Sequence, residues 1–256
     1  MVFAAAIPAA MMLPVWVGAR VLNNAGIVDI AWSYGFIPVA AVCAILGGGE
    51  PTRSFVLVLM VTMWAARLGT YLLIRVASHH PVEDGRYAVL RHQFPRYTWL
   101  MFLGFFEMQA VLIALLCVPF VLVFINPSGG LGGFEWTGVG LWLVALVGEA
   151  MADAQLNRFR RDPANKGKTC RVGLWLYSRH PNYFCEWLVW VAYFVFALGS
   201  PGGWIAFYAP LLMYFFLTRV TGIKATEQQA LLSRGEDYRQ YQRTTRAFFP
   251  WFPRRA

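Results

Sequence analysis

The sequence predicts an all-α fold, a multi-pass transmembrane helical bundle of about seven helices with cytoplasmic loops and an amphipathic C-terminal tail. Three observations carry this. Of the residues, 58% are hydrophobic and only 14% charged, against about 25% charged in soluble domains. The apolar residues fall in long runs that approach the ~20 helical residues needed to cross a bilayer core. The basic residues collect in alternate loops.

Taken in order, the apolar runs place spans at about 2–22, 30–47, 54–75, 100–125, 136–154, 184–199 and 203–220. The first has neither a basic leader nor a cleavage site and is expected to be a retained helix. The last two are short and divided only by Gly199-Ser200-Pro201-Gly202-Gly203, so a re-entrant pair, giving six spans, is the alternative. Of the 22 Lys and Arg residues, 20 fall in alternate segments: Arg20, then Arg75 to Arg96, then Arg158 to Arg179, then Arg219 to Arg255. By the positive-inside rule these segments and the C-terminus are expected in the cytoplasm.

The net charge of +9 therefore belongs to one face, where it suits anionic membrane lipids. No nucleic-acid-binding motif accompanies it. Cys43, Cys117, Cys170 and Cys185 lack CxxC spacing and read as core residues, with neither a disulfide framework nor a metal site expected.

The segment Gly173–Glu186, GLWLYSRHPNYFCE, concentrates polar chemistry at the mouth of an apolar run. It holds Tyr177, Ser178, Arg179, His180, Asn182 and Tyr183. If a helix starts at Pro181, Asn182 and Glu186 share a face at i and i+4. Arg179 and His180 then sit where cations and helix N-terminal amides meet a phosphate. The bland alternative is an interfacial cap with snorkelling cations.

Charges at membrane depth are costly and mark function. The fifth span carries Glu149, Asp153 and Asn157 on one stripe, with Gln155 nearby and Arg158, Arg160 and Arg161 at its end. A structural ion pair of Glu149 or Asp153 with Arg67 is the competing explanation. Asp29, Glu107 and Gln109 are weaker candidates. Three polar segments mix cations, carboxylates and aromatics: Glu83 to Arg91, Arg161 to Lys168, and Glu236 to Trp251 with Tyr238, Tyr241 and Arg246. Such mixtures suit a nucleotide or a headgroup-facing surface. There is no GxGxxG after a strand and no GxxxxGK[ST], so a nucleotide would be held by helices and loops.

The motifs VDIAW at 28–32, WAARLGTYLLIR at 64–75, EDGRY at 83–87, DAQLNRFRRDPANKGK at 153–168, GLWLYSRHPNYFCE at 173–186 and the GEDYRQYQRTTRAFFP tail run through nearly the whole chain. With them the chain resembles the DUF1295 branch of the steroid 5-alpha-reductase-like membrane family. The resemblance implies about seven helices, a cytoplasm-facing NADPH site and a lipidic enone substrate. By the same resemblance, Asn182 and Glu186 contact the nicotinamide amide and ribose, and Asp153 and Asn157 line that pocket. Arg160, Arg161, Lys168, Arg171 and Arg179 are candidates for the phosphates, with Tyr177 and His180 beside them. Tyr238 and Arg246 close over the adenosine. The sequence departs from the steroid reductases at the substrate end, where Trp64 stands in place of their third-helix Tyr and the second span has no Glu. The RHPNY element and the tail are also similar to isoprenylcysteine carboxyl methyltransferases and sterol C14-type reductases.

The resulting expectation is a single integral membrane domain, 1–256, with a cofactor half at approximately 83–256 and substrate-side helices at approximately 1–125. It is expected to use NADPH to reduce a carbon–carbon double bond conjugated to a carbonyl in a lipid, in a bacterial inner membrane or the endoplasmic reticulum. Tyr87, Glu107 and Tyr183 are the candidates to hold the developing enolate. The alternatives are an S-adenosylmethionine-dependent methyltransferase of the isoprenylcysteine type and a non-enzymatic lipid-binding membrane protein.

Overall fold

The computed structural model describes residues 2–220 and 222–254. Arg255, the last cation of the predicted basic tail, lies outside the described residues. Every regular element among the described residues is helical, and these elements gather into two compact units.

The first unit comprises residues 1–132 and 197–206. It contains α1 (Val2–Leu22), α2 (Ile27–Gly47), α3 (Pro51–His79), α4 (Gly85–Gln93), α5 (Thr98–Leu116) and α6 (Val118–Phe124). The helix starts are written locally. Proline opens α3, and the Glu50 carboxylate accepts from the Thr52 and Arg53 amides at 3.0 and 2.6 Å. Asp84 caps α4 by accepting from the Arg86 amide at 3.0 Å. α2 packs mainly on α3, and α1 on α5. Fully buried aromatics, among them Phe36, Trp64, Phe102 and Phe106, fill the core. Arg53, one of the two cations outside the basic segments, is buried and donates to the Ser128 and Gly130 carbonyls at 2.7 and 2.6 Å, which fixes that loop.

The second unit comprises residues 133–196 and 207–256. It contains α7 (Gly133–Arg161), α8 (Leu174–Tyr177), α9 (Pro181–Ala197), α10 (Tyr208–Phe215), α11 (Ile223–Arg234) and α12 (Glu236–Thr244). Gly173 has φ +58°, and a Cβ there would lie 2.5 Å from the Gln155 Oε1 that accepts from the Leu174 amide. A side chain at that position would thus be strained twice over.

Among the described residues, six stretches are long and apolar enough to cross a membrane: Val2–Leu22, Ile27–Gly47, Pro51–His79, Thr98–Phe124, Gly133–Arg161 and Gly203–Arg234. The remaining expected span, 184–199, the sixth in order, is α9, whose 17 residues sit at the lower limit of the roughly 17–25 that span a bilayer. Pro181 sets its start, and the Gly199–Gly203 turn follows its end. A Cβ at Gly203 would come within 1.8 Å of the Ala197 carbonyl oxygen, so the turn requires glycine there. All four cysteines are free thiols, three of them buried.

Candidate functional site

The second unit gathers the polar stripe of α7 and the opening of α9. Glu149 and Asp153 are buried one turn apart on α7, and Asn157 follows half-buried. Asn182, in the first turn of α9, donates from Nδ2 to Asp153 Oδ1 at 3.2 Å. That bond leaves Asn182 Oδ1 buried with no hydrogen-bond partner among the described residues, a state native proteins rarely leave uncompensated. Glu186, one turn further along α9, is buried and accepts from the Trp190 indole at 3.1 Å. The i, i+4 pairing of Asn182 and Glu186 follows from the helix starting at Pro181.

Around the RHP element a second cluster forms on a carboxylate that the sequence reading missed. Glu227 of α11 accepts from Arg179 Nε at 2.7 Å and from the Gln242 amide at 2.8 Å. His180 Nε2 lies 3.2 Å and Tyr238 Oη 3.4 Å from Glu227 Oε1. Arg179 also donates to the Gln242 and Thr245 carbonyls, and its backbone amide donates to the Arg246 carbonyl at 2.9 Å. These bonds tie the tail to the mouth of α9. The His180 ring stacks on Tyr183 at 5.4 Å, and Tyr183 Oη is 3.2 Å from Thr226 Oγ1. Burial lowers the His180 pKa, opposed in part by Glu227, so the ring is neutral at pH 7. Burial raises the Tyr238 hydroxyl, and Glu227 adds to this, so it keeps its proton. The only sequence signal for Glu227 is a single carboxylate in the polar run from Lys224 to Gln229.

The expected phosphate-binding cations divide into two groups. Arg171 pairs with Asp237 at 2.7 Å and donates to Gln240 at 3.3 Å, while Arg179 is held by Glu227. The other group lines a pocket of about 210 Å³ formed by Leu156, Phe159, Arg160, Asn165, Lys166, Gly167, Lys168, Cys170 and Arg234. Lys166, Lys168 and Arg234 have no carboxylate partner among the described residues. Lys166 belongs to the Arg161–Lys168 segment read from sequence, whereas Arg234 reaches the pocket from α11 across more than sixty residues of chain, a proximity that no local pattern carries. Asp153 and Arg160 are seven residues apart on α7, about 10 Å along its axis. Arg161 is exposed, Tyr177 packs edge-on against Phe252, and Arg246 stands over the Trp251 ring at 5.1 Å.

Tyr87 and Glu107 belong to the first unit. Tyr87 is buried and donates to Asp29 Oδ1 at 2.6 Å, and burial followed by the Asp29 charge raises its pKa. Arg86 bridges Asp29 at 2.8 Å to Asp84, which also pairs with Arg75. Glu83 accepts from Arg91 at 2.9 and 3.0 Å and from the Ala25 amide at 2.7 Å. The EDGRY segment thus closes a network of its own with the start of α2. Glu107 is half-buried on α5, and its Oε1 has no hydrogen-bond partner among the described residues.

The sequence profile described as "Protein of unknown function (DUF1295)" matches residues 15–245. A Schizosaccharomyces pombe protein, described as uncharacterized, is 27% identical over 225 residues. The match covers 77% of this chain and 63% of that protein, so the chain spans under two thirds of its relative's length. No solved structure matches. With the profile running through nearly all of its helices, the chain belongs to the DUF1295 family.

Proposed function

We propose that this membrane protein is an NADPH-dependent reductase of a carbon–carbon double bond conjugated to a carbonyl in a lipidic substrate. The buried, unpartnered Oδ1 of Asn182, aimed by the bond from its own Nδ2 to Asp153, carries this reading. A carboxamide needs an acceptor for its N–H groups, and an asparagine oxygen fixed by a carboxylate supplies one. Asn157 lies on the same helix between Asp153 and the cation-lined pocket. Arg160, Lys166, Lys168 and Arg234 are the groups proposed for the phosphates.

Bound NADPH would supply a hydride. The chain's own residues orient, shield and hold protons. Asp153 fixes the Asn182 rotamer, and the Trp190 indole fixes Glu186 beneath it. Glu227 holds Arg179, His180, Tyr238 and Gln242 in one cluster, so the tail segment carrying Tyr238 and Arg246 stays over the mouth of α9. On the carbonyl side, a protonated group must face the developing enolate. Tyr183, whose ring stacks on His180, is the proposed donor. Tyr87, in the first unit, already donates its hydrogen to Asp29.

The same reading places the C-terminus and the basic segments in the cytoplasm, where the reduced cofactor is available. The test is nucleotide-dependent thermal stability of the detergent-solubilised protein. NADPH is expected to raise Tm, and NADH to do so less. Stabilisation by S-adenosylmethionine alone would replace this function with the methyltransferase.

A further inference from the structure

We propose that the first unit binds the phosphate of an anionic phospholipid where α1 ends and α5 begins. A pocket of about 450 Å³ opens there, lined by Arg91, Pro95, Arg96, Tyr97, Thr98, Trp99 and Leu100. Its frame is an aromatic–cation stack. The Trp16 indole donates to the Trp99 carbonyl at 2.7 Å, which joins α1 to α5. The Arg20 guanidinium lies over both rings, 5.0 Å from Trp16 and 6.0 Å from Trp99. Arg91 stacks on Trp99 at 4.8 Å from the opposite helix, α4.

Charge in this frame is unbalanced. Arg91 is neutralised by Glu83 at 2.9 Å and serves as a fixed wall. Arg20 and Arg96 have no carboxylate partner among the described residues. Tyr97 caps α5 without a side-chain hydrogen bond, so the helix dipole adds to the same positive field. The Arg96 guanidinium and the Tyr97 hydroxyl in the pocket wall, with the Arg20 guanidinium over the Trp99 ring beside it, are a donor set for a phosphate diester, whereas the Thr98 hydroxyl is spent on the Phe94 carbonyl.

The choice of a lipid over a soluble phosphate comes from what lies next to the pocket. Leu100 is 66% exposed and begins a stripe down α5 that continues through Gly104, Met108, Val111 and Leu115, all exposed. These positions repeat at helical spacing along one face of a stretch apolar enough to cross the membrane. A headgroup seated against Arg20 and Arg96 would let its acyl chains follow that stripe.

The experiment compares the Tm of the full chain in micelles containing phosphatidylglycerol with its Tm in micelles containing phosphatidylcholine. The parent is expected to be more stable with phosphatidylglycerol. The Arg20→Gln/Arg96→Gln protein should lose most of that difference while keeping its phosphatidylcholine Tm. Arg96→Lys, which keeps the charge, should retain part of it. Arg239→Gln/Arg243→Gln, which alters the tail, should retain all of it. Equal Tm in the two lipids, an undiminished preference in Arg20→Gln/Arg96→Gln, or an equal loss in the tail variant overturns the proposal. Reproduction of the effect by inorganic phosphate in phosphatidylcholine would show a site for free phosphate and overturn the lipid assignment.

Discussion

Asn182 gives one half of its amide to Asp153 and leaves the other half, buried, without a partner among the described residues. The donor end is spent within the protein, and the acceptor end is held ready. Replacing Asn182 by Ala removes that acceptor, and replacing Asp153 by Asn releases the rotamer that aims it. Each is expected to weaken NADPH binding about 2–13-fold, the range for one hydrogen bond worth roughly 0.5–1.5 kcal/mol. Titration by intrinsic tryptophan fluorescence checks this. Parent-like affinity in both variants would remove Asn182 from the cofactor site.

Nucleotide choice is the second prediction. The 2'-phosphate adds nearly two negative charges, and Lys168 and Arg234 line the cationic pocket without carboxylate partners among the described residues. A charge-assisted hydrogen bond contributes roughly 1.5–3 kcal/mol, so Lys168→Ala or Arg234→Ala should lower NADPH affinity about 10–100-fold. NADH affinity should move much less. An equal loss for both nucleotides would assign the pocket to the pyrophosphate, and equal parent affinities would end the selectivity argument.

Arg171 and Arg179 are expected to behave differently from the pocket cations. Arg179→Ala strands the Glu227 carboxylate among His180, Tyr238 and Gln242. Losing one partner of a largely buried pair costs about 3 kcal/mol. The variant should show a lower Tm without nucleotide and a proportionate weakening of NADPH and NADH. A parent-like Tm with selective loss of NADPH would instead make Arg179 a phosphate ligand.

His180 sets an acid limit on this cluster. Its pKa is lowered by burial, so the folded protein holds the ring neutral while the unfolded chain protonates near the usual 6.5. The stability this supplies is complete above that value and is lost as pH falls through the lowered folded value. Tm should therefore drop on acidification from pH 7 to 5, and His180→Gln should flatten that drop. An unchanged pH profile in the variant would show that the ring is not the titrating group.

Sidedness is tested across α7. Cysteine introduced at Ser128 and at Lys166, flanking Gly133–Arg161, should label from opposite faces of the membrane, with Lys166 cytoplasmic. Labelling of both from one side would contradict a crossing by α7.

How much of this was readable in advance depends on how far apart the partners are in the chain. The start of α9 at Pro181, the Asn182 and Glu186 face, and the Glu149, Asp153, Asn157 stripe are properties of helical period and could be read residue by residue. The short α9 was also visible, as the doubt between six and seven spans. Glu227 was not. It acts only because α11 and α12 fold back on the RHP element, bringing it to Arg179 across 48 residues.

The sequence by itself determined the helices, their membrane-spanning length and the polar stripes, because apolar periodicity and proline and glycine placement act locally along the chain. The tertiary structure decided which cations are already neutralised. Arg171 meets Asp237, Arg179 meets Glu227 and Arg91 meets Glu83, whereas Lys168 and Arg234 share a pocket. Charge neutralisation depends on distances of a few ångströms between distant segments, and a one-dimensional pattern holds no such distances.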